Sequence, residues 1–78
     1  MQNKLISAIG AAATDYFHAA YYKTGTTDFY EGKAKGLLNL AADLGLYDHP
    51  DIVRYRKTVT DADEIIQANK AAADREKG

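Results

Sequence analysis

The sequence predicts an all-α protein, a small three-helix bundle in which helices two and three form an antiparallel hairpin packed on helix one. Apolar residues recur at three- and four-residue spacing along most of the chain, which is the helical period. Two short breaks divide this pattern, and links so short require sequence neighbours to pack side by side. We expect one domain, residues 1–78, with helices at about 3–23, 28–44 and 50–76.

Composition limits both the size of the core and the classes of function. Fourteen of the 78 residues are alanine and six are tyrosine, so few large aliphatic side chains remain for a core. A chain of this size is close to the lower limit for independent folding. It has no cysteine, which excludes disulfides and zinc–thiolate sites, and a net charge of -1 argues against a strongly basic nucleic-acid binder.

Helix one is predicted by a single apolar face. Its members are Leu5, Ile6, Ile9, Ala12, Ala13, Tyr16, Phe17 and Ala20. Gly10 lies among these residues, where a glycine favours close approach of another helix. Lys4 followed by LISAIGAAA also resembles a secretory signal peptide. Because the apolar spacing continues in phase into Tyr16 and Ala20, we favour an amphipathic helix and expect a cytoplasmic protein.

Helix two has signals at both ends. Asp28 and Glu31 have the spacing of a capping box, which predicts Asp28 as the N-cap. Gly45 suits the left-handed position after the helix, with Leu46 folding back over Ala41 in a Schellman motif. The predicted buried face consists of Tyr30, Ala34, Leu37, Leu38, Ala41 and Leu44.

Helix three is expected to start at Pro50, since proline suits the first helical position. Its apolar face consists of Ile52, Tyr55, Val59, Ala62 and Ile66. The β-branched run Thr58-Val59-Thr60 leaves open a kink near Thr60. An unbroken helix is longer than helix two, so residues 67–78 should overhang the hairpin or fray.

His49-Pro50-Asp51 is similar to the loop signature of J-domain co-chaperones, which also lies between two antiparallel helices. In those domains the helix before the loop is basic, whereas the segment LLNLAADLG here carries no positive charge. The alternative is ordinary helix punctuation, with a turn, a proline in the first helical position and an acid in the first turn.

A degenerate helix-turn-helix at residues 37–57 is an alternative that implies DNA binding. Alanine at 41 and glycine at 45 have the required spacing, and Arg54, Arg56 and Lys57 would face the groove. Acidic residues flank these three cations, which reduces their attraction for phosphate.

The sequence predicts no catalytic, cofactor-binding or metal-binding site. Asp15 and His18 lie one turn apart, but two histidines and no cysteine argue against a metal site. The one serine, Ser7, lies in an alanine-rich helix, and no glycine-rich phosphate loop is present. We expect neither an enzyme nor a bound cofactor or metal.

The back of helix one is the predicted partner-binding surface. It consists of Ala11, Asp15, His18, Tyr21 and Tyr22, and it carries one charged residue. Interfaces are depleted in charge and enriched in tyrosine. The competing surface is the end of helix three, at Lys70, Asp74 and Arg75.

The expected function is therefore non-enzymatic protein binding. A chain of this size and composition is similar in type to small accessory proteins of phages and other mobile elements, which inhibit or modulate a larger host complex. The alternatives are a small DNA-binding transcriptional regulator and a self-assembling structural subunit. Partners are a protein or a second copy of the chain; nucleic acid is less favoured and a membrane is not expected, because no apolar run is long enough to span one.

Overall fold

The computed structural model describes residues 2–77, apart from the side chains of Gln2, Asp74, Glu76 and Lys77. It consists of three helices, α1 (Gln2–Tyr22), α2 (Thr27–Asp43) and α3 (Pro50–Lys77), and the described residues form no strand. The predicted all-α bundle is confirmed. Helix α1 contacts α2 and α3 more extensively than these two contact each other, so α1 is the centre of the packing.

The core is built largely from small side chains. Seven of its thirteen buried hydrophobic residues are alanines, and the largest fully buried side chains are Tyr16, Ile9 and Ile52. The predicted face of α1 is confirmed, with Leu5 and Phe17 half-buried at its edges. Alanines on facing helices let the backbones approach closely, which is how so short a chain can bury three helix faces at once.

Gly10 of α1 makes room for a large side chain of α3. A Cβ atom at this position would lie 2.6 Å from Cζ of Tyr55, well inside van der Waals contact. Gly10 therefore accommodates the Tyr55 ring against the backbone of α1, while the expected close approach of the two helix backbones stays a prediction. Its cost in helix propensity, about 1 kcal/mol relative to alanine, is offset by the ring packed against its backbone.

The predicted N-cap of α2 is wrong by two residues. The helix begins at Thr27 with Thr26 as the N-cap, and no side chain caps it. Asp28 lies in the first turn instead, where a carboxylate still favours the positive end of the helix dipole. Glu31 cannot close a capping box because it faces Tyr16 of α1 and Lys35 of its own helix.

The C-terminus of α2 has the predicted Schellman geometry. Gly45 has φ of 77°, its N–H donates to the carbonyl of Ala42 at 3.1 Å, and the Leu46 N–H donates to that of Ala41 at 2.8 Å. Leu46 is buried beside Ala41, as expected. The expectation for Leu44 is wrong, because this residue is the C-cap and is 58% exposed. Leu46 occupies the core at this end of the helix in its place.

Replacement of Gly45 should test this turn. Gly45→Ala places a Cβ in the left-handed region and should lower the free energy of unfolding by about 1 kcal/mol. Gly36→Ala is the matched control, since Gly36 lies inside α2 with open space around its Cα. That control should raise stability by up to about 1 kcal/mol. Urea unfolding followed by circular dichroism measures both, and equal shifts of the same sign would contradict this assignment.

The start of α3 confirms Pro50 as its first residue. His49 precedes it, and the Asp51 N–H donates to Nδ1 of His49 at 3.2 Å, so the imidazole caps the first turn of the helix. The tripeptide therefore serves as helix punctuation. The helix is continuous through Thr60, and the Thr58 hydroxyl donates to the carbonyl of Arg54 at 3.2 Å within it. The helix is therefore not interrupted at the β-branched run.

One buried hydroxyl connects all three helices. Tyr16 of α1 donates to the carboxylate of Asp63 on α3, and its oxygen lies 3.2 Å from Oε2 of Glu31 on α2. Lys35 lies between the two carboxylates, at 3.2 Å from Asp63 and 3.6 Å from Glu31. Burial, followed by the neighbouring carboxylates of Asp63 and Glu31, raises the pKa of the Tyr16 hydroxyl well above its ordinary value of 10.0.

Candidate protein-binding surface

The protein leaves large apolar side chains on its surface while alanines fill its core. The exposed large hydrophobic residues are Tyr21, Tyr22, Phe29, Leu40, Leu44, Tyr47 and Val53. Single exposed apolar residues are common, but clusters of them indicate interaction sites. Three of the seven come from the end of α1 and the start of α2, which the short connection holds close together.

The predicted partner-binding residues lie where the sequence placed them, on the side of α1 away from the core. Ala11, Asp15, His18, Tyr21 and Tyr22 are all exposed. The two tyrosines are 62% and 68% exposed. No contact within the bundle therefore explains why this side of the helix carries so few charges.

The aromatic rings at this end of α1 contact one another. The rings of Tyr21 and Tyr22 lie edge to face at 4.9 Å, and Tyr22 meets His18 at 5.9 Å in a similar geometry. Tyr21 also stacks against the half-buried Phe17 at 6.3 Å. Edge-to-face and offset contacts of this kind fix side chains without burying them, so the cluster is partly ordered before any partner arrives.

The start of α2, across the short connection, carries a second aromatic pair. Phe29 and Tyr30 lie edge to face at 5.1 Å, and Phe29 is 66% exposed. A groove of 220 Å³ lies between the two helices and is lined by Asp15, His18, Ala19, Thr24, Thr26 and Tyr30. We call this end of the bundle, made of Phe17, His18, Tyr21, Tyr22, Phe29 and Tyr30, the aromatic end.

The sequence reasoning missed Phe29, Leu40 and Leu44 as exposed apolar residues. At 100° per residue these three lie about 140–180° around α2 from Glu31, whose partner Lys35 also pairs with Asp63 of α3. They therefore share the flank of α2 that points away from α3. The helical period could have grouped them, but only the packing shows that this flank is left uncovered.

The basic residues of the DNA-binding alternative have partners within the chain. Arg54 pairs with Asp51, and Lys57 lies 3.3 Å from Asp61. The guanidinium of Arg56 stacks over the Tyr47 ring at 3.7 Å. A phosphate contact by any of the three would have to displace one of these interactions.

The competing surface at the end of α3 is exposed but mixed in charge. Lys70 and Arg75 are both exposed, whereas the side chain of Asp74 lies outside the described residues. Residues 67–77 continue α3 as a helix, and as far as Ala73 this part of the helix lies beside the α1–α2 connection. There it borders a groove of 490 Å³ in which Lys23 and Lys70 face Asp28 and Glu31.

Among the side chains that the structure describes within residues 2–77, no group of three or more histidine, aspartate or glutamate residues is placed to hold a metal ion. Nor does this part of the chain include a helix with the length and apolar character needed to cross a membrane. Comparison with protein-family models, with curated proteins and with solved structures finds no match for this chain.

Proposed function

We propose that the protein is a non-enzymatic binding module that docks on another protein through its aromatic end. The observations that support this are the exposed Tyr21 and Tyr22, whose rings contact each other, and the exposed Phe29 at the start of the next helix, whereas alanines make up about half of the buried core. Tyrosine and phenylalanine contribute much of the binding energy of protein interfaces, because they bury a large area and lose little conformational entropy.

The surroundings of the cluster suit a protein partner better than a nucleic acid. Lys23 is the one cation next to the tyrosines in sequence, and Asp15 lines the adjoining groove. A binder of nucleic acid needs cations to neutralise phosphates, and the cations of the helix-turn-helix alternative are held by Asp51, Asp61 and Tyr47. The DNA-binding alternative therefore has less support.

We also propose how the protein acts on its partner. A small bundle that binds stoichiometrically acts by occupying a surface of a larger protein, as accessory proteins of phages and mobile elements do when they inhibit or modulate a host complex. On this proposal the protein acts in the cytoplasm. The support for it is the small size of the bundle together with a binding surface at one end.

Photo-crosslinking tests the proposal and identifies the partner. Benzoylphenylalanine in place of Tyr22, introduced in the native organism, should crosslink one larger protein that mass spectrometry can identify. The same label in place of Tyr47 is the matched control, because this exposed tyrosine lies at the opposite end of the bundle. Equal crosslinking from both positions, or from position 47 alone, would contradict the proposal.

Affinity measurements with that partner should then show the contribution of the cluster. Tyr22→Ala and His18→Glu should each weaken binding by more than about 1 kcal/mol, because each removes part of an exposed aromatic contact. The melting temperature should stay nearly unchanged, since neither side chain is buried. Lys70→Glu and Arg75→Glu test the competing surface, and loss of binding in these variants alone would move the site to α3.

A further inference from the structure

Helix α1 carries two charged residues among its 21, Lys4 and Asp15. They are eleven positions apart, which is about three turns and about 16 Å along the axis. At 100° per residue they point within about 20° of each other, so they lie on the same side of the helix. Neither forms an ion pair with another described residue, and both are exposed.

The residues between them on that side are small and exposed. Ala8 and Ala11 follow Lys4 at four and seven positions, and Asp15 follows at eleven, so the four share one stripe. We call these four residues the Lys4–Asp15 face. When a second copy of this face is placed against the first in the opposite direction, the cation of each copy lies opposite the anion of the other. The charge pattern is therefore self-complementary.

We propose that the Lys4–Asp15 face binds a second copy of the chain, with the two α1 helices antiparallel about a two-fold axis between Ala8 and Ala11. In this arrangement Lys4 of each chain meets Asp15 of the other, and Ala8 meets Ala11. A two-fold interface uses the same patch on both chains and therefore requires a self-complementary patch. The two alanines at the axis allow the backbones to approach closely, as alanine does in the core of each chain.

The charge pattern selects a second copy over an unrelated partner. An unrelated protein needs only low charge on this face, whereas a two-fold pair needs opposite charges at equal distances from its axis. Lys4 and Asp15 meet that condition and are the only charges that α1 offers. The uncovered flank of α2, with Leu40 half-exposed, adds apolar area beside the same stretch of α1, because Leu40 precedes Ala41, which packs with Ile6 and Ile9.

This interface goes beyond the proposed function and does not depend on it. When Lys4 meets Asp15, the helices overlap over about residues 2–17. Tyr21 and Tyr22 then lie past the overlap, and Phe29 lies beside them at the start of α2. A dimer would keep one aromatic end exposed on each side.

Charge exchange tests the interface. Lys4→Glu and Asp15→Lys should each weaken the dimer by about tenfold or more, because each replaces two attractions with two repulsions. The double variant Lys4→Glu/Asp15→Lys should restore wild-type dimerisation, since the exchanged charges at positions 4 and 15 would again attract each other across the axis. Sedimentation equilibrium over a range of concentrations gives the dissociation constants. Glu64→Lys, an equal charge change on an exposed residue of α3, should leave them unchanged.

The register of the two α1 helices in the dimer can be tested separately with introduced cysteines, because the chain has no native cysteine. Ala8→Cys mixed with Ala11→Cys should form the mixed disulfide faster than either variant forms a disulfide with itself. A wild-type protein that stays monomeric at every concentration would overturn the proposal. So would a dimer that the single charge variants do not weaken, or one that the double variant does not restore. Failure of these tests leaves the crosslinking from position 22 unaffected, so the two proposals can fail independently.

Discussion

Replacement of Ile52 by alanine should lower the free energy of unfolding by about 3 kcal/mol. Ile52 is fully buried and packs against Ile6, Ile9 and Leu46, so the loss of its outer atoms leaves a cavity where α1 meets α3 and the α2–α3 connection. A bundle of this size has a total stability of only about 5 kcal/mol or slightly more. The variant should therefore be partly unfolded at moderate temperature, as urea titration followed by circular dichroism would show.

Val53→Ala is the matched control for Ile52→Ala. Val53 is the next residue of the same helix and is 44% exposed, so its replacement removes little buried area. Its stability should stay within about 0.5 kcal/mol of the wild type. Similar midpoints for the two variants would mean that the face of α3 turned toward α1 is wrongly assigned.

The second large effect should appear in alkaline solution. Above pH 10 the Tyr16 hydroxyl of the unfolded chain loses its proton, whereas burial and the carboxylates of Asp63 and Glu31 keep it protonated in the folded state. The unfolded state then binds fewer protons, so the free energy of unfolding should fall by about 1.4 kcal/mol per pH unit from this one group. The contribution is fully present below pH 10 and is lost as the pH rises.

Tyr16→Phe isolates that contribution. The variant should be about 1 kcal/mol less stable at neutral pH, because it loses the hydrogen bond to Asp63. It should also lose stability less steeply than the wild type above pH 10, because it lacks the hydroxyl whose pKa the fold raises, while the other five tyrosines are the same in both proteins. Urea unfolding at a series of pH values measures the difference in free energy. Parallel pH profiles would show that the Tyr16 hydroxyl is not held protonated by the fold.

Local signals in the sequence predicted most of the fold. The left-handed Gly45, the fold-back of Leu46 and the start of α3 at Pro50 depend on neighbouring residues, and all three are confirmed. The prediction of Asp28 as the N-cap was wrong because Glu31, the other residue of the expected capping box, has partners that are distant in sequence. Its contact with Tyr16 spans 15 positions, and the shared Tyr16 hydroxyl also reaches Asp63, 47 positions away. Local spacing holds no information about such a contact.

The candidate site was only partly predictable for a related reason. The back of α1 could be identified because one apolar stripe leaves a single opposite side, and Tyr22 and His18 are exposed there. Helix α2 has apolar residues on more than half of its circumference. Which of them stay uncovered depends on where α1 and α3 lie, so Phe29 could not be assigned to the surface beforehand.

The central position of α1 has a consequence for how the chain folds. Most contacts between helices join α1 to α3, which are separated in sequence by the whole of α2, and the local α2–α3 pair contributes least. The α1–α2 pair can form across a short connection, whereas the α1–α3 pair has to close a loop that contains the whole of α2. During synthesis α1 and α2 emerge first, and their apolar faces stay incompletely covered until α3 docks. The core of the bundle is therefore complete only after α3 has docked on α1 and α2.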